Sequence, residues 1–222
     1  MTAKPRIALI HATPIAVDPI RLAFEAGWPE AETVNIMDDS LSPDRAAIPD
    51  IDAALTERIV ALARYARSTG ADGILFTCSS FGSAIEKAAG PLDIPVLKPN
   101  EAMFEAAMDR GSNIAMIATF PPARSTMEDE FADEARRRSG KARLESFVVE
   151  PAINALRAGD EATHNRLVAD KAAELEGFDA IMLAHFSTSR AAASVRGRTQ
   201  TPVLTSPDAA VAKIRRLVAG GT

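Results

Sequence analysis

Short apolar runs alternate along the chain with longer stretches in which apolar positions recur at helical spacing. That alternation predicts an α/β protein with a mainly parallel sheet, because parallel strands need helical crossovers between them. Strands are expected near 6–12, 32–37, 72–77, 94–97, 113–118, 144–149, 179–184 and 202–204. Helices are expected near 18–27, 51–69, 82–89, 100–110, 123–139, 161–176, 188–195 and 207–219. Asp18 before Pro19 reads as an N-cap followed by a proline in the first turn, and Asp160 before Glu161 reads as a second cap. Gly70 and Gly177 each follow a long helical pattern and precede a strand, where a left-handed residue closes the helix. Segment 38–49, with two prolines and two adjacent aspartates, has little periodicity. It reads as a long loop, either a lid over a binding cleft or a solvated surface connection.

The pattern repeats. Residues 70–82 (GADGILFTCSSFG) align with 177–189 (GFDAIMLAHFSTS) at an offset of 107 residues. The same offset places Ile7 to Ile10 on Ile114 to Ile117, and Ile94 to Leu97 on Thr201 to Leu204. Three separated matches at one offset imply two similar units. The expected architecture is therefore two pseudosymmetric Rossmann-like halves, each a four-stranded mainly parallel sheet flanked by helices. The first half spans 1–98, with helix 207–219 available to complete it, and the second spans 99–206. The repeat superposes the single cysteine, Cys78, on His185. If the halves pack about a pseudo-twofold axis, those side chains face each other across one cleft.

Composition narrows the partners. A net charge of -5 argues against a nucleic-acid backbone. No apolar run approaches the ~18 residues of a membrane span. The N-terminus enters a strand directly, without the apolar stretch and cleavage site of a signal peptide. One cysteine excludes an internal disulfide framework and suits a reducing compartment, so the cytoplasm is the expected location. A homo-oligomer is the expectation for an enzyme of this size. The run Arg136, Arg137, Arg138 reads as the solvated end of a helix.

Ligands of parallel α/β sheets bind beyond the carboxyl ends of the strands. Cys78 lies at such an end, beside Thr77, Ser79 and Ser80. Backbone N–H groups of the following helix and these hydroxyls would hold a carboxylate, and the positive helix end would favour a thiolate. The alternative is a small core cysteine. His185 occupies the matching place, followed by Phe186, Ser187 and Thr188, and an imidazole there would exchange protons near neutral pH. Its alternative is a hydrogen-bonded histidine closing a strand. His11, Thr13 and Pro14 follow the first strand, and Thr119 and Phe120 stand in the equivalent place of the second half. These loops border the same cleft or are simple turns. His164, in a polar helical stretch, is expected to be exposed. The three histidines have no ligand spacing, and no Cys-x-x-Cys or His-Glu-x-x-His is present, so no metal is expected. Neither a Gly-x-Gly-x-x-Gly nor a P-loop pattern appears, which argues against a dinucleotide or nucleoside triphosphate.

The 70–82 cysteine motif, residues 94–97 followed by Glu101 and Ala102, and the strand 114–119 resemble the aspartate/glutamate racemase superfamily. That group includes aspartate, glutamate and hydantoin racemases, maleate cis–trans isomerase and arylmalonate decarboxylase. Gly159, Asp160 and His164 resemble a segment of its hydantoin-racemase-like branch. The resemblance covers nearly the whole chain. It implies a pseudosymmetric two-half fold and chemistry beside a carboxylate without a cofactor. In the superfamily's racemases two cysteines, one per half, act as base and acid on opposite faces of a carbon. Cys78 matches the first, and His185 stands where those racemases have the second. Arylmalonate decarboxylase keeps one cysteine in the second half, whereas this chain keeps the first.

The expected activity is a cofactor-independent racemase or isomerase of a small carboxylate or hydantoin-like compound. Cys78 thiolate would remove the α-proton and protonated His185 would return one, with Thr77, Ser79, Ser80, Ser187 and backbone amides steadying the enediolate. Decarboxylation of a malonate-type acid, with Cys78 as proton donor, is the alternative. Maleate-type cis–trans isomerisation by thiol addition is another. A small-molecule binding protein on a retired racemase scaffold is the non-enzyme reading.

Overall fold

The computed structural model describes residues 4–119, 121, 124–138 and 140–220. The chain divides into two compact units, one running to Pro99 and joined by residues from Ala210 onward, the other Asn100–Ala209. In the first unit the order is β1 (Arg6–His11), α1 (Val17–Gly27), β2 (Glu32–Met37), α2 (Leu41–Ala46), α3 (Ala53–Ser68), β3 (Gly73–Phe76), α4 (Gly82–Ala89) and β4 (Val96–Leu97). The second unit has α5 (Glu101–Met108), β5 (Asn113–Ala118), α6 (Arg124–Arg138), β6 (Arg143–Val148), α7 (Glu150–Arg157) and α8 (Glu161–Ala173). There follow β7 (Ala180–Leu183), α9 (His185–Thr188), α10 (Ala192–Arg196), β8 (Val203–Thr205) and α11 (Ser206–Ala219), whose later turns belong to the first unit.

The two sheets have the same design. One is ordered β2-β1-β3-β4, the other β6-β5-β7-β8, and every pairing is parallel. The register repeats as well: Ile10 pairs with Phe76, and Ile117 with Leu183. The inner strands β3 (GILF) and β7 (AIML) are buried at every position, as strands covered by helices on both faces must be. The edge strand β2 is largely exposed, with only Ile36 buried. Apolar stripes of α3 and α4 cover one face of the first sheet through Leu55, Ile59, Ala63, Ala84 and Ile85. On the other face Gly73 has no side chain, and a Cβ there would meet Ile214 Cδ1 of α11 at 3.0 Å. The glycine therefore permits the close approach of that helix.

The repeat extends to hydrogen bonds that periodicity does not reveal. Asp72 and Asp179 are equivalent, and each carboxylate accepts a backbone N–H at the start of its unit's β1 or β5, from Arg6 and Asn113 respectively, both at 2.8 Å. Gly70 and Gly177 adopt φ of 81° and 77°, a conformation that costs other residues steric strain; Gly70 closes α3, whereas α8 already ends at Ala173 with Glu174 as its C-cap, so Gly177 belongs to the loop before β7. The arginine run of α6 is an exposed, ion-paired end: Arg136 with Asp133, Arg137 with Glu134, Arg138 with Asp109.

Several local expectations change. The helix α1 begins at Val17, with Ala16 as its N-cap, because a 3-10 turn over Pro14–Ala16 runs straight into it; Asp18 sits in the first turn instead. Segment 38–49 is no open loop. It contains α2, anchored by Leu41 at 1% exposure, and Arg58 of α3 pairs with both Asp38 and Asp44. Helix α7 is an addition, opened by Pro151 in its first turn, where the missing N–H costs nothing. The helix expected near 188–195 is broken into α9, a 3-10 turn over Ser189–Ala191 and α10. His164 is 0% exposed rather than solvated, since it lies on the α8 stripe of Val168 and Ala172.

Caps at two helix starts are made as their residue types suggest. Asp160 accepts the Thr163 N–H at 3.0 Å. Asp52, in extended conformation, accepts the Leu55 N–H at 2.8 Å at the head of α3. Replacing Asp52 by alanine is expected to cost about 1 kcal/mol. The check is a lower urea midpoint with an unchanged slope, read by circular dichroism.

Candidate functional site

In the first unit, the carboxyl ends of β1 and β3 bring Cys78 beside a polar network of buried His11 and Thr77 and exposed Asn35. His11 closes β1 and is 0% exposed. Its Nε2 lies 2.9 Å from Asn35 Oδ1 of β2, and its Nδ1 lies 2.8 Å from Thr77 Oγ1. With the Asn35 oxygen facing it, Nε2 carries the proton and Nδ1 accepts the Thr77 hydroxyl hydrogen. The hydroxyl has a second acceptor in the Ile10 carbonyl at 3.3 Å. Burial pulls His11 below its ordinary pKa, while the bond to Asn35 pulls the other way. The net direction is downward, which favours the neutral ring. Both ring nitrogens are occupied, so His11 holds Thr77 rather than presenting a free edge.

Cys78 follows Thr77. Its backbone is extended, with φ -124° and ψ 124°, and it leads into a 3-10 turn over Ser79–Phe81 that runs on into α4. The side chain is half-buried against the first unit's core. Ser79 is half-buried and Ser80 exposed. The Ser80 carbonyl accepts Arg45 Nε of α2 at 3.3 Å. Thr13 is half-buried without a side-chain cap bond, and Pro14 is exposed. Ser42 of α2 donates to the Ala12 carbonyl at 2.8 Å, which fixes the loop between them.

The ends of β5 and β7 carry the second group. His185 lies two residues past Leu183, as Cys78 lies two residues past Phe76. It is the one non-glycine residue with positive φ, at 65°, among those described. A branchless backbone would adopt that angle freely, whereas a histidine pays roughly 1 kcal/mol or more. The residue as a whole is half-buried, yet its Nε2 is fully buried and has no hydrogen-bond partner among the described residues. Burial alone pushes its pKa down to about 4. Thr119 is buried, with Oγ1 3.3 Å from Thr188 Oγ1. Phe186 is 4% exposed and packs as a core residue, its carbonyl accepting the Ser189 hydroxyl at 2.6 Å. Ser187 is half-buried. Phe120 lies outside the described residues.

Each unit thus gathers its own share of the expected residues at the carboxyl ends of its central strands. Asn35, Ser42 and Arg45 were not expected there, since nothing in the repeat marks them. The one sequence signal is the arginine in an otherwise loop-like segment. Among the described residues no group of three His, Cys, Asp or Glu is gathered to hold a metal ion. No described helix is long and apolar enough to cross a membrane.

The low His185 pKa has a sign that can be checked. The folded state resists protonation, whereas the unfolded chain titrates near 6.5. The unfolded state therefore binds more protons between those values. Stability is fully present above about pH 6.5 and is lost as pH falls toward 4, by up to roughly 3 kcal/mol for this group. His185→Phe, which keeps the ring without the charge, is expected to flatten that part of a urea-midpoint profile.

The family model for Asp/Glu/hydantoin racemase matches residues 12–146. The chain belongs to this family. Allantoin racemase from Klebsiella pneumoniae has a similar structure, with 20% identity, TM-score 0.75, and 98% of this chain and 89% of that chain covered. An aspartate racemase from Picrophilus torridus superposes at TM-score 0.69 with 16% identity, over 97% and 94% of the two chains. A glycine-to-cysteine mutant of arylmalonate decarboxylase superposes at 0.67 with 18% identity, over 98% and 95%. At these identities the likeness establishes the fold: two four-stranded parallel sheets flanked by helices. No curated protein matches the chain significantly in sequence.

Proposed function

We propose that the chain is a cofactor-independent racemase or isomerase acting at a carbon acid in a small carboxylate or hydantoin-like substrate. Cys78 and His185 pass protons on opposite faces of the reacting carbon. The observation that carries this reading is their equivalence: each stands two residues beyond the third strand of an identically ordered sheet. Family membership supports it. So does the strained turn at His185, whose Nε2 has no hydrogen-bond partner among the described residues.

Burial of His185 modifies the expected proton states. The resting pair is a thiol and a neutral imidazole, which holds the same number of protons as a thiolate and an imidazolium. From one enantiomer His185 takes the α-proton and the Cys78 thiol returns one to the other face. The enzyme is left as thiolate and imidazolium, the form that works on the opposite enantiomer with the roles exchanged. Between the two steps the negative charge on the enediolate is met by Ser79, Ser80, Ser187 and backbone N–H groups, while Thr77, whose hydroxyl hydrogen goes to His11, holds the turn.

Decarboxylation is the second reading, and the low pKa of His185 favours it. A malonate-type acid loses carbon dioxide by cleavage of one C–C bond. The thiol proton of Cys78 then goes to the carbanion, and water reprotonates the thiolate. A neutral imidazole is no obstacle to that reaction.

The test is incubation of amino acids, hydantoins, maleate and aryl malonates with the enzyme in deuterated buffer. Deuterium at the α-position with loss of optical rotation supports racemisation. Carbon dioxide with a single deuterated enantiomer supports decarboxylation. Binding with neither exchange nor product would remove both readings and leave a binding protein.

A further inference from the structure

The turn that carries Cys78 is gripped at both ends. On one side Thr77 is held by neutral His11, which is held in turn by Asn35. On the other side Arg45 of α2 donates Nε to the Ser80 carbonyl at 3.3 Å and Nη1 to the carbonyls of Ile48 at 2.7 Å and Pro49 at 3.3 Å. Three backbone carbonyls accept from this guanidinium, and no carboxylate pairs with it among the described residues. We propose that Arg45 is a positioning residue for the Cys78 thiolate, fixing the Ser79–Phe81 turn by its carbonyl and favouring the ionised sulfur by its unneutralised charge. The proposal rests on Cys78 as the reacting group.

Most neighbouring charges have other partners, while Asp39 and Asp50 of the same stretch and Lys87 of α4 are exposed to solvent. Asp38 and Asp44 both pair with Arg58 of α3. Glu86 of α4 pairs with Lys98, and Asp52 caps α3. His11 on β1 is kept neutral by burial. Arg45 is thus a cation held against the turn by a carbonyl, with no carboxylate paired to it among the described residues. The helix α2 that carries it is itself anchored: Arg58 also donates to Ser40 Oγ at 2.6 Å, and Ser42 grips the Ala12 carbonyl. This gives segment 38–49 a function other than that of a lid. It is a bracket that brings one arginine to the back of the cysteine turn.

Cys78 is the only cysteine, so its ionisation can be read without any substrate. The experiment is the pH dependence of iodoacetamide alkylation in the wild type, Arg45→Gln and Arg45→Lys. Arg45→Gln is expected to raise the thiol pKa by about half to one unit, which slows alkylation at pH 7 roughly 3- to 10-fold. Arg45→Lys is expected to return the pKa toward the wild type. Its turnover should stay reduced, because one ammonium cannot span three carbonyls as a planar guanidinium does. Molar salt should raise the wild-type thiol pKa and have less effect in Arg45→Gln. This last comparison within the wild type also serves if Arg45→Gln does not fold. An alkylation profile unchanged in Arg45→Gln, or a lysine variant that titrates like the glutamine variant, would overturn the proposal. A shifted profile in a protein that turns over none of the candidate substrates would instead support Arg45 and remove the enzymatic reading.

Discussion

Replacing Cys78 by alanine is expected to abolish turnover of whichever substrate the wild type accepts, a loss of roughly 10²–10⁴-fold or more for a removed proton-transfer group. Cys78→Ser should retain very little, because a serine hydroxyl is a far weaker acid than a thiol and so neither donates nor ionises at neutral pH. Both readings of the chemistry require this result, so it is the broadest test of the site. The fold should survive both changes. Cys78 touches the first unit's core from its half-buried edge, and the side chains that fill that core, Ile10, Phe76, Phe81 and Ile85, are untouched. Ligand binding measured by calorimetry should also persist, since Thr77 is held by His11 independently of the sulfur. Near-normal turnover in Cys78→Ala would make the cysteine a packing residue. It would leave the repeat as a feature of the fold alone.

Much of the architecture was legible because the two halves state it twice. The Ile7 and Ile114 runs predict the central strands, and the Gly70 position predicts how the helix before β3 ends. Those features depend on local periodicity and on φ, both of which leave a mark in a single sequence. Helix α2 left little mark: six residues with a proline inside have no readable period, and its place is set by Leu41 inserting into the core and by Arg58 bonding at long range. His164 misled for a related reason. The segment EATHNRLVADKAA looks polar, but its buried stripe takes in the one imidazole as well as valine and alanines. Within the candidate site, the residue types at 77–80 and 185–188 pointed to proton and anion chemistry. The partners that set their states did not appear. Asn35 acts on Thr77 through His11, and the burial that neutralises His185 belongs to packing and not to residue type.

His185→Ala is expected to separate the two enzymatic readings. A racemase needs a proton-transfer group on each face, so the variant should lose racemisation by roughly 10²–10⁴-fold while Cys78 still exchanges the α-proton of one enantiomer into deuterated water. A decarboxylase delivers its proton from Cys78 alone, so the same variant should slow only modestly and still yield a single enantiomer. The pH profile of kcat/KM gives an independent measure. With His185 pushed down to about 4 by burial, the pair carries its one exchangeable proton from there up to the ionisation of the Cys78 thiol. The expected profile is therefore a broad bell, with an acid limb near 4 from protonation of the imidazole and an alkaline limb from loss of the thiol proton. The limbs lie in the reverse order to that of an ordinary thiolate–imidazolium pair, in which the thiol titrates first. His185→Ala should remove the acid limb and leave the alkaline one, which Arg45→Gln should in turn move upward. Unchanged racemisation of both enantiomers by His185→Ala would dissolve the Cys78–His185 pair. The second proton would then have to come from water, since both nitrogens of His11 are already engaged by Asn35 and Thr77.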